Sequence, residues 1–133
     1  MPISAKWDDD DRTILRLIFW NEWDLDEYLE QFESVISTIK TVAYTVAILV
    51  DLRADSFVPK GNTLRVFRYI MDKLPENVGL IVYVNDNYVQ EHMFNTQISF
   101  YKTLRRRHNR RIHMVETLPE AYKLIQEHQI TPY

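Results

Sequence analysis

Short apolar runs alternate along the chain with longer segments in which apolar residues recur every three or four positions. The runs have the length and the β-branched content of buried strands. The spaced pattern is typical of helices that bury one face. The predicted strands cover residues 3–7, 12–20, 44–52, 79–84 and 112–115. The predicted helices cover about residues 25–39, 64–74 and 88–107, with a last one beginning near residue 118.

Polar residues mark where these helices begin and end. Asp24 is placed to cap the first helix, with Glu27 at the spacing of a capping box. Pro75 stops the second helix, and Thr117 opens the last one. The element order is therefore β-β-α-β-α-β-α-β-α, which predicts an α/β sandwich with a mostly parallel central sheet of about five strands and four helices.

The chain is expected to form a single domain over residues 1–133, since no Ser-rich or Pro-rich linker divides it. In open α/β sheets the functional crevice lies at the carboxyl ends of the strands. This rule directs attention to the loops at residues 51–61, 85–88 and 116–119.

Composition excludes several classes of protein. With 46% hydrophobic and 26% charged residues the chain is globular rather than disordered. It contains no cysteine, which excludes disulfides, thiolate metal sites and a cysteine nucleophile. No apolar run approaches the ~20 residues that cross a bilayer, and the N-terminus lacks the apolar core of a signal peptide. We therefore expect a cytoplasmic protein without a membrane span.

Charge is distributed unevenly. Residues 1–33 hold ten acidic and three basic side chains, whereas residues 102–111 hold six basic and no acidic ones. The basic stretch suits the C-terminal end of a helix, whose dipole favours cations. Its alternative interpretation is a surface for anions or for an acidic protein. A sequence pI near 5.8 and the lack of a DNA-reading motif argue against nucleic acid as a partner.

The sequence offers no recognisable catalytic or metal-binding motif. The four histidines lack metal-ligand spacing, and the acidic run at residues 8–11 lacks the alternation and the glycine of a calcium loop. A solvated hairpin turn is the expected structure of that run. No phosphate-binding glycine loop and no nucleophile–base pair occurs. We therefore assign no catalytic residue, metal or cofactor and expect a protein that is not an enzyme; a cryptic active site with a buried carboxylate or histidine stays open.

Asp51 ends a predicted central strand, as the phosphorylated aspartate of a receiver domain does. A receiver also needs acidic residues after its first strand and a lysine after its last. Here Glu22 is the single carboxylate in residues 20–22, and residues 112–117 contain no lysine. We interpret Asp51 as a residue that braces the loop that follows it.

Several segments in a fixed order carry a resemblance to a known family. They are AILVDL at 47–52 followed by SFVPKG at 56–61, GLIVYV at 79–84 and TLPEA at 117–121, with Trp7 in the opening strand. In this order and at this length the chain resembles the STAS domain, the fold shared by sulfate transporters and anti-sigma-factor antagonists. It is most similar to the divergent STAS-like proteins that stand alone in bacteria.

The resemblance implies a regulatory module that binds a protein, a regulator or a kinase-like partner, through the loop after the Asp51 strand. In the regulatory branch that loop presents a phosphorylated serine after an aspartate, but the corresponding residues 58–62 lack the Asp-Ser pair. The partner-binding residues predicted in this way are Asp51, Ser56, Phe57, Val58, Pro59, Lys60, Gly61, Asn62 and Thr63.

Two further possibilities remain open. Met93, Phe94 and Tyr101 could line a pocket for a lipid or an anion between the predicted 88–107 helix and the sheet. Trp20 and Trp23 are expected to be exposed, where they could serve a homodimer or cover the edge of the sheet.

Overall fold

The computed structural model describes residues 3–19, 23–52, 63–85, 99 and 112–130. Its five strands are β1 (Ile3–Trp7), β2 (Ile14–Phe19), β3 (Val46–Asp51), β4 (Val78–Val84) and β5 (Ile112–Val115). The helices of the described ranges are α1 (Leu25–Lys40), α2 (Thr63–Lys73) and α3 (Leu118–Ile130). The predicted elements within these ranges are confirmed, and the predicted helix at about 88–107 lies, apart from Ser99, outside them.

The strands form one sheet in the order β1-β2-β3-β4-β5. β1 runs antiparallel to β2, as a hairpin requires, and the other neighbours are parallel. The predicted α/β class and the mostly parallel sheet of five strands are thereby confirmed. One row of paired residues crosses the sheet near its carboxyl edge and consists of Ile18, Asp51, Val84 and Val115.

Each face of the sheet is covered by different helices. Since side chains alternate along a strand, successive residues face opposite layers. The larger core joins one sheet face to α1 and α2 and includes Tyr28, Phe32, Phe67 and Ile70. The smaller core joins the other face to α3; its buried members are Ala47, Leu49, Leu80, Val82, Val84, Ala121 and Ile125.

Helix ends follow the sequence signals. The Asp24 carboxylate accepts a hydrogen bond from the Glu27 backbone N–H at 2.8 Å, as predicted for the N-cap of α1. The Thr117 hydroxyl accepts one from the Glu120 N–H at 3.3 Å at the start of α3. In the part of the chain that the structure describes, no helix has both the length and the hydrophobicity needed to traverse a bilayer.

The acidic run at residues 8–11 forms the β1–β2 turn, but the turn is not simply solvated. The Asp9 carboxylate accepts hydrogen bonds from the Thr13 N–H at 2.8 Å, the Ile14 N–H at 3.0 Å and the Thr13 hydroxyl. Burial acts to raise the pKa of Asp9, but these hydrogen bonds outweigh it and lower the pKa. Arg12 has a positive φ of 57°, which the turn imposes on a residue other than glycine.

The expected exposure of Trp23 is wrong. Its side chain is buried, because it packs edge-on against Phe19, with ring centroids 4.9 Å apart. It also stacks on Tyr28 at 5.5 Å. Trp23 therefore belongs to the core beneath α1, and Trp20 lies outside the described residues.

Candidate functional site

Asp51 carries a charge in the interior. It is the last residue of β3, and its exposed fraction is only 2%. An isolated buried carboxylate is costly unless a cation and hydrogen bonds compensate it. Arg16 supplies that compensation, since its Nη2 donates to Asp51 Oδ2 at 2.6 Å.

Strand register explains why these two residues meet. Arg16 pairs with Leu49, and Asp51 lies two residues beyond Leu49, so Arg16 and Asp51 lie on the same sheet face of neighbouring strands. The long arginine side chain spans this offset. Burial acts to lower the pKa of Arg16, but the hydrogen bond and charge of Asp51 outweigh it and raise the pKa, so Arg16 stays charged.

Arg16 also reaches the β1–β2 turn. Its Nη1 lies 3.4 Å from Asp8 Oδ1, so one guanidinium bridges two carboxylates. Asp8 in turn accepts a hydrogen bond at Oδ2 from the hydroxyl of Tyr122, on α3, at 2.5 Å. Asp8, Arg16, Asp51 and Tyr122, which we call the Arg16 cluster, thus tie the opening hairpin and the end of β3 to the last helix.

The Arg16 cluster is suited to a structural role rather than to proton transfer. Burial, followed by the hydrogen bond and charge of Asp8, raises the pKa of Tyr122 to about 12, so its hydroxyl stays protonated at neutral pH. Arg16 keeps its proton as well. Neither group therefore exchanges protons near pH 7, and the cluster can fix backbone positions more readily than it can serve as an acid or a base.

Exposure is graded across the cluster. The exposed side-chain fractions are 18% for Arg16, 12% for Asp8 and 3% for Asp51. A partner can therefore reach the Arg16 end but not the Asp51 carboxylate. Asp51 was predicted to contact a partner. Its buried position instead suits a residue that positions the loop after β3.

Backbone hydrogen bonds fix the carboxyl edge beside Asp51. The Leu52 N–H donates to the Val84 carbonyl at 2.9 Å, and the Asn85 N–H donates to the Val115 carbonyl at 3.0 Å. Sheet pairing thus continues one residue beyond β3 and β4, and the segments that follow these strands start side by side. Asn85 is fully buried at this edge.

The remaining predicted site residues are mostly outside the described ranges. Thr63 is described as the first residue of α2. The predicted contact residues Ser56, Phe57, Val58, Pro59, Lys60, Gly61 and Asn62 lie outside the described part. The same holds for the predicted pocket residues Met93, Phe94 and Tyr101. Both sets stay predictions.

Sequence reasoning missed Arg16, Asp8 and Tyr122. A usable signal existed for Arg16, since it is the one charged residue in the apolar strand Ile14–Phe19. A charge within a buried strand requires a counter-charge, and Asp51 is the charge at the end of another such strand. Nothing in the local pattern indicated Tyr122, because its contact depends on where α3 packs.

The face beneath α1 and α2 collects aromatic rings instead of charges. Tyr28 lies 5.5 Å from Phe19 and 5.1 Å from Phe32 between ring centroids. Burial raises the pKa of Tyr28 to about 12, while the Tyr83 hydroxyl nearby acts to lower it. Burial also raises the pKa of Tyr83. These phenols are therefore neutral members of the core.

No group of three or more metal-ligating side chains is found within the described residues. His113 on β5 and His128 on α3 interact electrostatically. Burial lowers the pKa of His128, and the charge of His113 lowers it further, so the imidazole of His128 favours its neutral form.

Comparison of the chain with models of protein families gave no match, and comparison with curated proteins gave none either. The α/β architecture alone hosts many unrelated functions. Any functional assignment therefore has to come from the site, above all from the Arg16 cluster and the edge of the sheet beside it.

Proposed function

We propose that this chain is a non-catalytic regulatory module that binds another protein through the loop after β3 and the start of α2. The observation that carries the proposal is the buried Arg16–Asp51 ion pair at the end of β3. It fixes the point at which the loop leaves the sheet, together with the hydrogen bond from Leu52 to Val84.

A loop whose first residues are held in place by the sheet is well suited to recognition. Binding residues are commonly carried by loops that a rigid scaffold positions, and a preorganised loop loses less conformational entropy when it binds. In this proposal Phe57 and Pro59 offer apolar contact, and Lys60 offers a cation to an acidic partner. Asp51 acts through Arg16 as a positioning residue.

The proposal includes a STAS-like sandwich with a fourth helix between β4 and β5. Two observations support it: the strand order and the parallel pairing of β4 with β5. Neighbouring parallel strands require a crossover connection, which is usually a helix. The right-handed crossover rule would place that helix on the face of α1 and α2.

The experiment is quantitative affinity capture from a bacterial lysate, followed by mass spectrometry. We expect the double variant Phe57→Ala/Lys60→Glu to lose at least one protein that the wild-type chain captures reproducibly. The matched control is Tyr44→Ala/Lys123→Glu, which changes an exposed tyrosine and an exposed lysine away from the loop and should retain that protein. Equal capture by the wild-type chain and the loop variant would refute the proposal.

A further inference from the structure

A groove runs between α1 and α2 on the outside of the larger core. Its volume is about 190 Å³. The apolar residues that line it are Leu29, Phe32, Ile36 and Ile70. Its rim carries Tyr69 and the charged residues Glu33, Lys40 and Lys73. The groove therefore combines an apolar floor with a polar border, as peptide-binding grooves do.

Tyr69 gives the groove an exposed aromatic wall. It is 44% exposed, and it is one of the two exposed large hydrophobic residues in the described ranges, the other being Tyr44. Lys73 Nζ lies 5.5 Å from the centroid of the Tyr69 ring, close enough for a cation–π contact. Tyrosine is one of the residues most enriched among those that contribute most to binding in protein interfaces.

Two lysines lie at the same end of the groove. Lys40 and Lys73 belong to the last turns of α1 and α2. Both helices connect the carboxyl end of one strand to the amino end of the next, so their last turns lie at the same edge of the sheet. Within the described ranges, neither lysine takes part in a salt bridge. Their ammonium groups are therefore available to an anionic partner.

We propose that the α1/α2 groove binds an acidic, apolar segment of a partner protein. An apolar side chain of that segment lies on the groove floor against Tyr69, and a carboxylate lies between Lys40 and Lys73. Charge complementarity selects this occupant. A nucleic acid fits less well, since the groove floor is apolar and only two cations, Lys40 and Lys73, are among the residues that line the groove.

This site is separate from the loop after β3. The lysines lie at the amino edge of the parallel strands, whereas the loop leaves the carboxyl edge. The groove proposal does not depend on the proposed function. Variants at Phe57 and Lys60 test one site, and variants at Tyr69, Lys40 and Lys73 test the other.

The test selects peptides from a random display library against the wild-type chain, with counter-selection against Tyr69→Ala/Lys73→Glu. We expect the enriched peptides to combine apolar residues with an excess of Asp and Glu. Fluorescence anisotropy then measures the binding of a labelled enriched peptide. Lys40→Glu and Lys73→Glu should each weaken binding by about fivefold or more, since reversal of a charge replaces attraction by repulsion.

The matched control is Lys123→Glu, which reverses an exposed lysine on α3 and should leave the affinity unchanged. Circular dichroism confirms that each variant is folded, since all three lysines are exposed. Peptides without an acidic excess, or equal binding to the Lys40 and Lys73 variants, would overturn the proposal. So would sedimentation showing that the wild-type chain dimerises and that Tyr69→Ala abolishes the dimer, because the occupant would then be a second copy.

Discussion

The sheet face beneath α1 and α2 is closed by rings and aliphatic chains, whereas the face beneath α3 joins an apolar patch to the Arg16 cluster. On the first face Phe32 contacts Tyr28 in a continuous aromatic core. On the second, Asp51 is held by an ion pair. One sheet can thus be held by non-directional apolar burial on one face and by directional ion pairs and hydrogen bonds on the other.

Each kind of contact determines a different property. Apolar burial contributes in proportion to area and tolerates small shifts of position. A buried ion pair tolerates little displacement, because its attraction must offset the cost of dehydrating both charges. The larger core therefore accounts for most of the stability, and the Arg16 cluster for the position of the end of β3.

The largest expected effect is on the apolar face. Phe32 is fully buried, and Phe32→Ala should lower the free energy of unfolding by about 3–5 kcal/mol through lost burial and a cavity. Urea unfolding followed by circular dichroism measures the change. The loss should be the same in low and high salt, since the contacts of Phe32 are apolar. A strong salt dependence would contradict the division between the two faces.

The next effect is on the charged face. Arg16→Met should lower the free energy of unfolding by about 3 kcal/mol, because the buried charge of Asp51 then loses its ion pair with Arg16. The same urea titration measures the loss.

The double variant Arg16→Met/Asp51→Asn is the control for that cause. Removing both charges should recover part of the loss, since the buried charge of Asp51 is gone and only the more exposed Asp8 loses its cation. If the double variant is less stable than Arg16→Met alone, the ion pair is not what holds the end of β3.

The smallest effect is at Tyr122. Tyr122→Phe should lower the free energy of unfolding by about 1.5 kcal/mol at pH 7, because a hydrogen bond to a charged acceptor is lost. Folding raises the pKa of Tyr122 from 10.0 to about 12. Its contribution is therefore complete below pH 10 and is lost as the pH rises through about 12.

The free energy of unfolding, measured between pH 8 and pH 12, tests whether stability falls with rising pH as expected. The wild-type chain should lose stability more steeply at alkaline pH than Tyr122→Phe. The matched control is Tyr44→Phe at an exposed tyrosine, which leaves the hydrogen bond between Tyr122 and Asp8 in place. Parallel profiles for the wild-type chain and Tyr122→Phe would show that the hydroxyl of Tyr122 does not stabilise the folded state.

The sequence was sufficient to predict the elements of the described ranges and the α/β class. Apolar periodicity and capping residues such as Asp24 are local signals, so they can be recognised without the fold. The Arg16–Asp51 pair depends on strand register, and the Tyr122–Asp8 contact depends on how α3 packs. Both contacts join residues that are far apart in the sequence, and a local sequence pattern does not show which distant residues meet in the fold. Trp23 was misjudged for the same reason, since its burial depends on packing against Phe19 and Tyr28.

The sequential strand order has a consequence for how the chain is made. Each strand pairs with the one synthesised just before it, so the sheet can grow from its first hairpin while the rest of the chain is still emerging. The hydrogen bond between Tyr122 and Asp8 spans 114 positions and must wait for the last helix. Formation of α3 thus adds a contact back to the hairpin of β1 and β2, which was made long before it.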